Sequence, residues 1–231
     1  NYMGVVRLVE SALEVSAHFI QASTSEVYAR EQKGFPVKED APLGSTSPYA
    51  AQKIAAEEYI RSRAASNGLR FTIMRPFNTI SRASVGNPHF VVERAITQAL
   101  QEGRIHLHDA LPRRDFVFRD DHVSAYRFIV ARLNGPLADD VVQGTFNVCT
   151  GDSWSILRMA NEVATLVGER QKKAIPVTWE TAPDRPLDIP VLHGSSELLR
   201  NRGWKTEYTI QQAIGKAVEE WTALLDEQRT A

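Results

Sequence analysis

Tyr49 and Lys53 are the two residues whose side-chain types and spacing most directly suggest proton transfer. Residues four positions apart on a helix share one face, so both side chains can reach the same bound molecule. A phenol with its ordinary pKa near ~10 is a poor base at neutral pH, whereas a neighbouring ammonium favours the phenolate and lowers that pKa. The pair therefore predicts a base that takes the proton from a hydroxyl group as that hydroxyl is oxidised. The same spacing also occurs on surface helices, where a packed tyrosine and a solvated lysine have no chemical role.

A polar run, Ser23-Thr24-Ser25-Glu26, follows a short apolar segment at residues 18–22 that is typical of a buried strand. Open α/β sheets bind their ligands at the carboxyl ends of parallel strands, which is where this run would lie. Thr24 could hydrogen-bond to a substrate hydroxyl, and Glu26 could act as a general base if burial raises its pKa. The alternative is a turn in which the hydroxyl groups bond to their own backbone and Glu26 is a solvated carboxylate.

Asn78, Arg114 and Arg185 are candidate ligands for an anionic group. Asn78 follows a second apolar segment, so its amide would also lie at the carboxyl end of a strand and could donate to a phosphate oxygen. The planar guanidinium of an arginine donates two parallel hydrogen bonds, which suits a diphosphate. An arginine on a surface is more often a solvated charge, so the residue type alone leaves both interpretations open.

Metal and disulfide chemistry receive little support from the sequence. His106 and His108 would share a face of a strand and could bind a metal ion. Neither a cysteine nor a carboxylate at helical spacing accompanies them, so no metal site is predicted. Cys149 is the only cysteine in the sequence, which excludes a disulfide framework and a cysteine-based zinc site.

The composition is that of an ordinary soluble globular protein. The 231 residues suffice for one or two domains, with 43% hydrophobic and 24% charged residues. The 27 basic side chains nearly balance the 28 acidic ones, which argues against a nucleic acid or an anionic membrane as the main partner. The sequence has neither an apolar run of about 18 residues nor a basic-then-apolar leader, so we expect a cytoplasmic protein.

The apolar periodicity predicts the elements that must position the candidate residues. A helix over 1–17 and a strand over 18–22 come first, followed by a surface loop rich in glycine and proline over 29–46. The next helix, which carries Tyr49, is expected to begin at Ser47-Pro48 and to end at Gly68, because these residues are typical of helix caps; a second buried strand follows over 69–74. This order predicts βαβ units and a parallel sheet.

Beyond residue 80, shorter elements alternate. Helices are expected over about 88–102, 120–133, 154–168, 195–202 and 209–226, and strands over about 104–107, 115–118, 144–149, 175–179 and 187–191. We therefore expect the C-terminal part of a sheet domain over 1–78 and a mainly α+β domain over 79–231. Segment 144–150 is apolar enough to rejoin the sheet of the first domain.

Taken together, these segments resemble the extended short-chain dehydrogenase/reductase family, and within it the NAD-dependent nucleotide-sugar epimerases, dehydratases and decarboxylases. The resemblance spans nearly the whole chain and keeps the family's order of motifs. The matching segments are Ser23 to Tyr28, Ser47-Pro48-Tyr49 through Lys53, Arg75-Pro76-Phe77-Asn78, Arg114-Asp115-Phe116 with Asp120-Asp121, Phe146-Asn147-Val148 with Gly151, Arg185-Pro186 with Asp188-Ile189-Pro190, and Gly203-Trp204.

The resemblance implies an α/β fold in which part of a Rossmann-type parallel sheet, without its N-terminal strands, binds NAD or NADP. A smaller C-terminal α+β domain would bind the nucleotide sugar. Tyr49 resembles the family's catalytic base, and Lys53 resembles its partner, which also binds the nicotinamide ribose. The resemblance places Ser23 and Pro76 at the cofactor and Thr24 at the sugar oxygen that is oxidised.

The run from Thr24 to Glu26 resembles particular branches of the family. Glu26 matches the carboxylate that works at C5 in 4,6-dehydratases, and Ser25 stands where many dTDP-glucose dehydratases carry aspartate. The run looks more like GDP-mannose 4,6-dehydratases and UDP-glucuronate decarboxylases, and segment 185–191 is similar to GDP-sugar dehydratases and GDP-4-keto-6-deoxymannose reductases. Asn78, Arg114 and Arg185 resemble the residues that hold the diphosphate.

The expected enzyme is a 4,6-dehydratase or an epimerase that works through a 4-keto sugar nucleotide. A 4-keto-6-deoxy sugar nucleotide reductase and a UDP-glucuronate decarboxylase-like enzyme are the alternatives. The family's glycine-rich turn, G-x-x-G-x-x-G, does not occur in the 231 residues, so we expect part of a longer protein. A non-catalytic remnant that binds a nucleotide sugar is the further alternative. The resemblance also implies a homodimer, in which small residues of the Tyr49 helix (Ala50, Ala51, Ala55 and Ala56) permit close approach of helices.

Overall fold

The computed structural model of the chain describes residues 2–80, 90–133, 142–180 and 188–230. The helices are α1 (Tyr2–Glu14), α2 (Pro48–Asn67), α3 (Val91–Glu102), α4 (Arg119–Leu133), α5 (Ile156–Gln171), α6 (Glu197–Asn201) and α7 (Ile210–Thr230). The strands are β1 (Phe19–Ala22), β2 (Phe71–Pro76), β3 (Asn78–Ile80), β4 (Ile105–Leu107), β5 (Arg113–Arg114), β6 (Phe116–Phe118), β7 (Gly144–Val148), β8 (Trp154–Ser155), β9 (Val177–Trp179) and β10 (Val191–Leu192). The alternation of helices with parallel strands confirms the predicted α/β class.

Strands β1, β2 and β7 form a parallel sheet in that order. Phe19 of β1 lies opposite Phe71 of β2, and Thr72 of β2 lies opposite Gly144 of β7. The central strand β2 is buried from Thr72 to Arg75, as expected for a parallel strand that is covered on both faces. Residues 144–148 therefore share a sheet with the first strands, whereas the division of the chain at residue 78 stays a prediction.

Successive residues of β2 anchor the packing on the two faces of this sheet. Ile73 packs in one apolar cluster with Val9 of α1 and Ile60 of α2. Met74 packs in another cluster with Ile129 of α4 and Phe146 of β7. Helices thus cover both faces of the sheet. The polar groups that follow β1 and β2 lie at the carboxyl ends of these two strands.

Helix α2 begins and ends where its sequence predicts. The hydroxyl of Ser47 accepts a hydrogen bond of 3.0 Å from the backbone N–H of Ala50, and Pro48 occupies the first turn. Gly68 adopts a left-handed conformation with φ of 70° and donates its N–H to the carbonyl of Ala64. These caps fix the register of the helix that carries Tyr49 and Lys53.

The later part of the chain builds short strand pairs against a separate helical core. Helices α3, α5 and α7 pack around the buried Trp221, β3 pairs with β6, β4 pairs with β9, and β5 lies between β8 and β10. The single strand predicted over 115–118 corresponds to β6, whereas the periodicity does not predict β3, β5 and β8. Within the described ranges, no helix combines the length and the apolar character that crossing a membrane requires.

Asp115, between β5 and β6, ties this part to the end of β7. Its carboxylate accepts hydrogen bonds from the backbone N–H and the hydroxyl of Thr150 and from the backbone N–H of Gly151, at 2.9, 2.7 and 2.9 Å. The Asp115 carbonyl in turn accepts a bond of 3.1 Å from the N–H of Asn78. Through its side chain Asp115 thus holds the loop that follows β7, and through its backbone carbonyl it holds the start of β3.

We predict that Gly194→Ala destabilises the protein by about 1–3 kcal/mol, because a methyl group there overpacks the core. A Cβ on Gly194 would lie only 2.6 and 2.7 Å from two ring carbons of the buried Phe77. Urea denaturation of the purified protein measures the effect. Gly215→Ala is the control, since its Cβ meets no atom within 4 Å inside α7 and should stabilise the helix by roughly 0.5–1 kcal/mol. Equal stability of the two variants would contradict the close packing described.

Candidate functional site

A cavity of about 550 Å³ opens where β1 and β2 end. Residues from five segments line it: the turn after β1, the start of α2, the end of β2 with the following strand, the start of α3, and the region around β5 and β10. The sequence-predicted residues that it brings together are Ser23, Thr24, Ser25, Glu26, Tyr49, Pro76, Asn78 and Arg114. Lys53 lies one helical turn beyond Tyr49 and does not line the cavity, and Arg185 is outside the described residues.

Tyr49 and Lys53 lie side by side on α2, but the lysine charge is turned towards β1. The Nζ of Lys53 donates a hydrogen bond of 2.6 Å to the carbonyl of Ala22, and it lies 5.6 Å from the centre of the Tyr49 ring. Partial burial lowers the pKa of Lys53, although the charge of Glu57 opposes that effect. The lysine is therefore held at the strand end, where it caps the last carbonyl of β1.

The predicted lowering of the Tyr49 pKa is wrong for this structure. Partial burial of the phenol raises its pKa, the negative charge of Glu26 raises it further, and a hydrogen bond with Thr24 lowers it. The side chain remains 42% exposed towards the cavity. The sequence spacing correctly put Lys53 on the same helix face, but it could not indicate that a carboxylate from another segment acts on the same phenol.

The sequence left open whether Thr24 and Glu26 face a ligand site or only form a local turn, and the structure shows both features. The Thr24 hydroxyl accepts a hydrogen bond of 3.2 Å from the backbone N–H of Glu26, so it caps the short 3-10 turn Ser25–Val27 while also lining the cavity. Glu26 is exposed at the cavity wall, yet the surrounding protein raises its pKa by desolvation. The charge of Arg114 lowers that pKa and the charge of Asp188 raises it.

Arg114 and Asn78 also form part of the cavity wall. One nitrogen of Arg114 lies 3.2 Å from a carboxylate oxygen of Asp188, and another donates to the carbonyl of Arg113 at 2.9 Å. Burial lowers the pKa of Arg114, whereas the charges of Asp188 and Glu26 raise it. Among the described residues, the side-chain oxygen of Asn78 is buried and has no hydrogen-bond partner. This wall thus offers a buried guanidinium and an amide to an incoming molecule.

Glu57 and Arg75 form an internal ion pair that the sequence reasoning did not single out. The two side chains are 0% and 1% exposed, and the two Arg75 nitrogens Nε and Nη2 bond to separate oxygens of Glu57 at 3.0 and 2.5 Å. Burial alone would raise the pKa of Glu57, but the bonds and charge of Arg75, together with the bonds from Ser23 and Arg61, outweigh burial and hold the pKa below its usual value.

Each member of this ion pair also hydrogen-bonds to a residue of the segment that follows β1. The Ser23 hydroxyl donates to Glu57 at 2.5 Å, and Arg75 donates to the hydroxyl of Tyr28 at 3.1 Å. Tyr28 donates in turn to the Asn147 side-chain oxygen on β7 at 2.6 Å. The available signal was the position of Glu57, which is one turn after Lys53 on the same face of α2.

The family model described as "NAD dependent epimerase/dehydratase family" matches residues 1–149. Among curated proteins, the chain is 27% identical to GDP-6-deoxy-D-mannose reductase of Pseudomonas aeruginosa, with 99% of this chain and 74% of the relative covered. It is 29% identical to dTDP-D-glucose 4,6-dehydratase of Mus musculus, with 95% of this chain and 60% of the relative covered. The chain thus spans less than two thirds of the second relative's length.

A solved structure of Thermus thermophilus UDP-glucose 4-epimerase in complex with NAD matches with a TM-score of 0.78 and 26% identity. The match covers 95% of this chain and 68% of that structure's chain. All three similar proteins are enzymes named for a nucleotide-linked sugar, and the chain shares its parallel-sheet architecture with the third.

Glu57→Gln should destabilise the protein by about 3–5 kcal/mol, because it leaves Arg75 as an uncompensated buried charge. Guanidinium denaturation followed by tryptophan fluorescence gives the free energy of unfolding. The neighbouring Glu58→Gln is the matched control: Glu58 pairs with Arg61 at the surface, 63% exposed, and should cost at most about 1 kcal/mol. A Glu57→Gln variant as stable as the control would contradict the role of the buried pair.

Proposed function

Since the chain belongs to the NAD dependent epimerase/dehydratase family, we propose that the whole protein converts a sugar nucleotide through a 4-keto intermediate, as a 4,6-dehydratase or an epimerase. The observation that carries this proposal is the shared cavity of Tyr49 and Glu26. Both groups line this one cavity, and the charge of Glu26 raises the pKa of the Tyr49 phenol, which supports their acting on one bound sugar. A phenol and a carboxylate placed in this way can move protons at two positions of one ring.

The residues at the ends of β1 and β2 fit the nicotinamide half of NAD or NADP. The Tyr49 hydroxyl and, one helical turn away, the Lys53 ammonium are the proposed donors to ribose hydroxyl groups, and Pro76 lines the same cavity as Tyr49. Ser23 bonds to Glu57 through its hydroxyl, so it is proposed to support the cofactor through its backbone. Such a cofactor supplies the hydride chemistry that oxidises and reduces the sugar carbon.

Tyr49 is proposed to exchange the proton of the C4 hydroxyl. Burial and the charge of Glu26 both favour the protonated phenol, which is suited to giving its proton to a keto oxygen. The reverse step, removal of the proton during oxidation, requires the charge of Lys53 to stabilise the phenolate. Thr24, which bonds to the phenol and lines the cavity, is proposed to hold the same sugar oxygen.

Glu26 is proposed to act at C5. A carbonyl at C4 makes the C5 proton acidic, and a carboxylate with a raised pKa is a stronger base for removing it. Loss of the C6 hydroxyl as water would leave a C5–C6 double bond beside the C4 carbonyl. Return of the hydride to C6 and of a proton to C5 would complete the dehydration and restore the oxidised cofactor, which would make the protein a lyase. Ser25, buried next to Glu26 in the cavity wall, is the proposed additional hydroxyl at this position.

Arg114 and Asn78 are proposed to hold the diphosphate, together with Arg185. Binding would require Arg114 to exchange its bond with Asp188 for bonds to phosphate oxygens, to which a planar guanidinium donates in a bidentate way. The negative charge of Asp188 would then no longer be neutralised by Arg114, and it would raise the pKa of Glu26 further. Substrate binding and the strength of the proposed base are in this way connected.

A reductase of a 4-keto-6-deoxy sugar nucleotide is the second candidate, and a specific observation favours it. The raised pKa of Tyr49 suits a proton donor to a keto oxygen, which is the step that a reduction needs. Of the two curated relatives cited above, this chain covers the larger share of the GDP-6-deoxy-D-mannose reductase. A reductase consumes one reduced cofactor per product, whereas a dehydratase or an epimerase regenerates its cofactor.

A homodimer is proposed to form through α1 and α2. Helix α1 carries the exposed apolar side chains Met3 and Leu8, and Val15 follows it, all of which a partner helix would cover. Sedimentation velocity of the whole protein separates this dimer from a monomer.

We predict that Tyr49→Phe in the whole protein lowers kcat by about 100- to 10,000-fold, because it removes the proposed acid–base group. Product formation from GDP-, UDP- and dTDP-sugars, followed by mass spectrometry, measures the rate. Tyr59→Phe is the matched control, since this tyrosine lies on the same helix and bonds to Glu10 of α1. Turnover by Tyr49→Phe at the rate of the control would refute the mechanism.

Running the same reactions in deuterium oxide distinguishes the outcomes. Deuterium at C5 with loss of water identifies a dehydratase, and inversion of the ring hydroxyl identifies an epimerase. Stoichiometric use of reduced cofactor identifies the reductase.

The pH dependence should respond to Asp188→Asn. Glu26 is active as a carboxylate, so the rate is lost as pH falls through its pKa. Removing the negative charge of Asp188 lowers the Glu26 pKa, so the acidic limb of kcat/KM should move to lower pH. Asp40→Asn, at an exposed position away from the cavity, should leave that limb in place. A shift to higher pH in Asp188→Asn would contradict the assignment of Glu26.

A further inference from the structure

His106, His108 and Glu180 form a cluster outside the candidate active site. Strands β4 and β9 run parallel, and His106 lies opposite Thr178 in their register. One ligand atom from each of the three side chains lies within 4.8 Å of the other two. The Nε2 atom of His106 is 3.4 Å from a carboxylate oxygen of Glu180. The parallel pairing therefore supplies the carboxylate that the sequence spacing around the histidines did not offer.

The geometry of this cluster matches that of a transition-metal site. Two ligands bound to Zn²⁺ at about 2.0–2.1 Å in a tetrahedron are about 3.3 Å apart, close to the separation of His106 and Glu180. His108 and Glu180 are exposed, so their side chains can rotate to close the remaining distances. The His106 and His108 rings meet edge to face, with their centres 5.7 Å apart.

A second observation concerns the orientation of His106. Its Nδ1 atom lies 3.1 Å from the hydroxyl of Thr178, which leaves Nε2 turned towards Glu180. Histidines that bind metals commonly use one ring nitrogen for the ion and the other for such a hydrogen bond, which fixes the ring. Thr178 is thus placed to orient the ligand.

We propose that His106, His108 and Glu180 bind a divalent transition-metal ion, with Zn²⁺ as the best match. Two imidazoles and one carboxylate suit Zn²⁺ and disfavour Mg²⁺ and Ca²⁺, which prefer oxygen ligands. Three protein ligands leave one position open to water or to another molecule. Both histidines also line a second cavity of about 280 Å³, so that open position would be accessible from it. The ion would link the end of β4 to the end of β9.

Isothermal titration calorimetry of the tag-free whole protein with ZnCl₂ tests the site. We expect one ion per chain, at least tenfold weaker binding in His106→Gln and in His108→Gln, and unchanged binding in Glu169→Gln, an exposed carboxylate on α5. Glu180→Gln should also weaken binding. Circular dichroism of each variant establishes that it is folded.

A second pair of variants separates the ligand role from simple surface charge. Thr178→Val should weaken Zn²⁺ binding about 10- to 100-fold, because His106 loses its orienting hydrogen bond, while Thr178→Ser should retain it. Absence of stoichiometric Zn²⁺ binding by the wild-type protein would overturn the proposal. Binding that is equally tight in the histidine variants would also overturn it, because the ion would then lie elsewhere.

Discussion

Two charged side chains, Glu57 of α2 and Arg75 of β2, meet in the interior, and the geometry of the candidate site follows from how they are satisfied. Removing both charges from water is costly, and the cost is offset only because each has several partners. Arg61 and Ser23 complete the shell of Glu57, while Tyr28 and a backbone carbonyl complete that of Arg75. The helix with the proposed base, the central strand and the turn after β1 therefore have a single mutual arrangement.

Around this fixed centre, the chemistry depends on charges that come from distant parts of the chain. Glu26 follows β1, Tyr49 begins α2, and Arg114 and Asp188 approach from the later segments. Three of these groups shift the pKa of a neighbour: Glu26 raises that of the phenol, and Arg114 and Asp188 act on that of Glu26 in opposite directions. No single residue type sets the reactivity of the cavity, because the sum of these fields determines which group holds a proton.

The local features of the fold were readable from the sequence because they depend on neighbours along the chain. The caps Ser47 and Gly68, the buried strands on either side of α2, and the polar runs at strand ends belong to this class. The direction of the Tyr49 pKa was not readable, because it depends on Glu26 from another segment. The approach of Glu180 to two histidines was not readable either, because it depends on the pairing of β4 with β9. The periodicity of a single segment does not predict which distant strand it pairs with or in which register.

Asn78, Arg114 and Asp188 line both cavities, so the wall between them is shared. A molecule that draws Arg114 into one cavity must break its contact with Asp188 and so alters the charge presented to the other. Occupants that compete for this contact would be thermodynamically linked, and any such linkage is reciprocal: each would change the affinity of the other by the same factor. Through this one guanidinium–carboxylate contact, a molecule bound in either cavity would change the affinity of the other cavity for its own ligand.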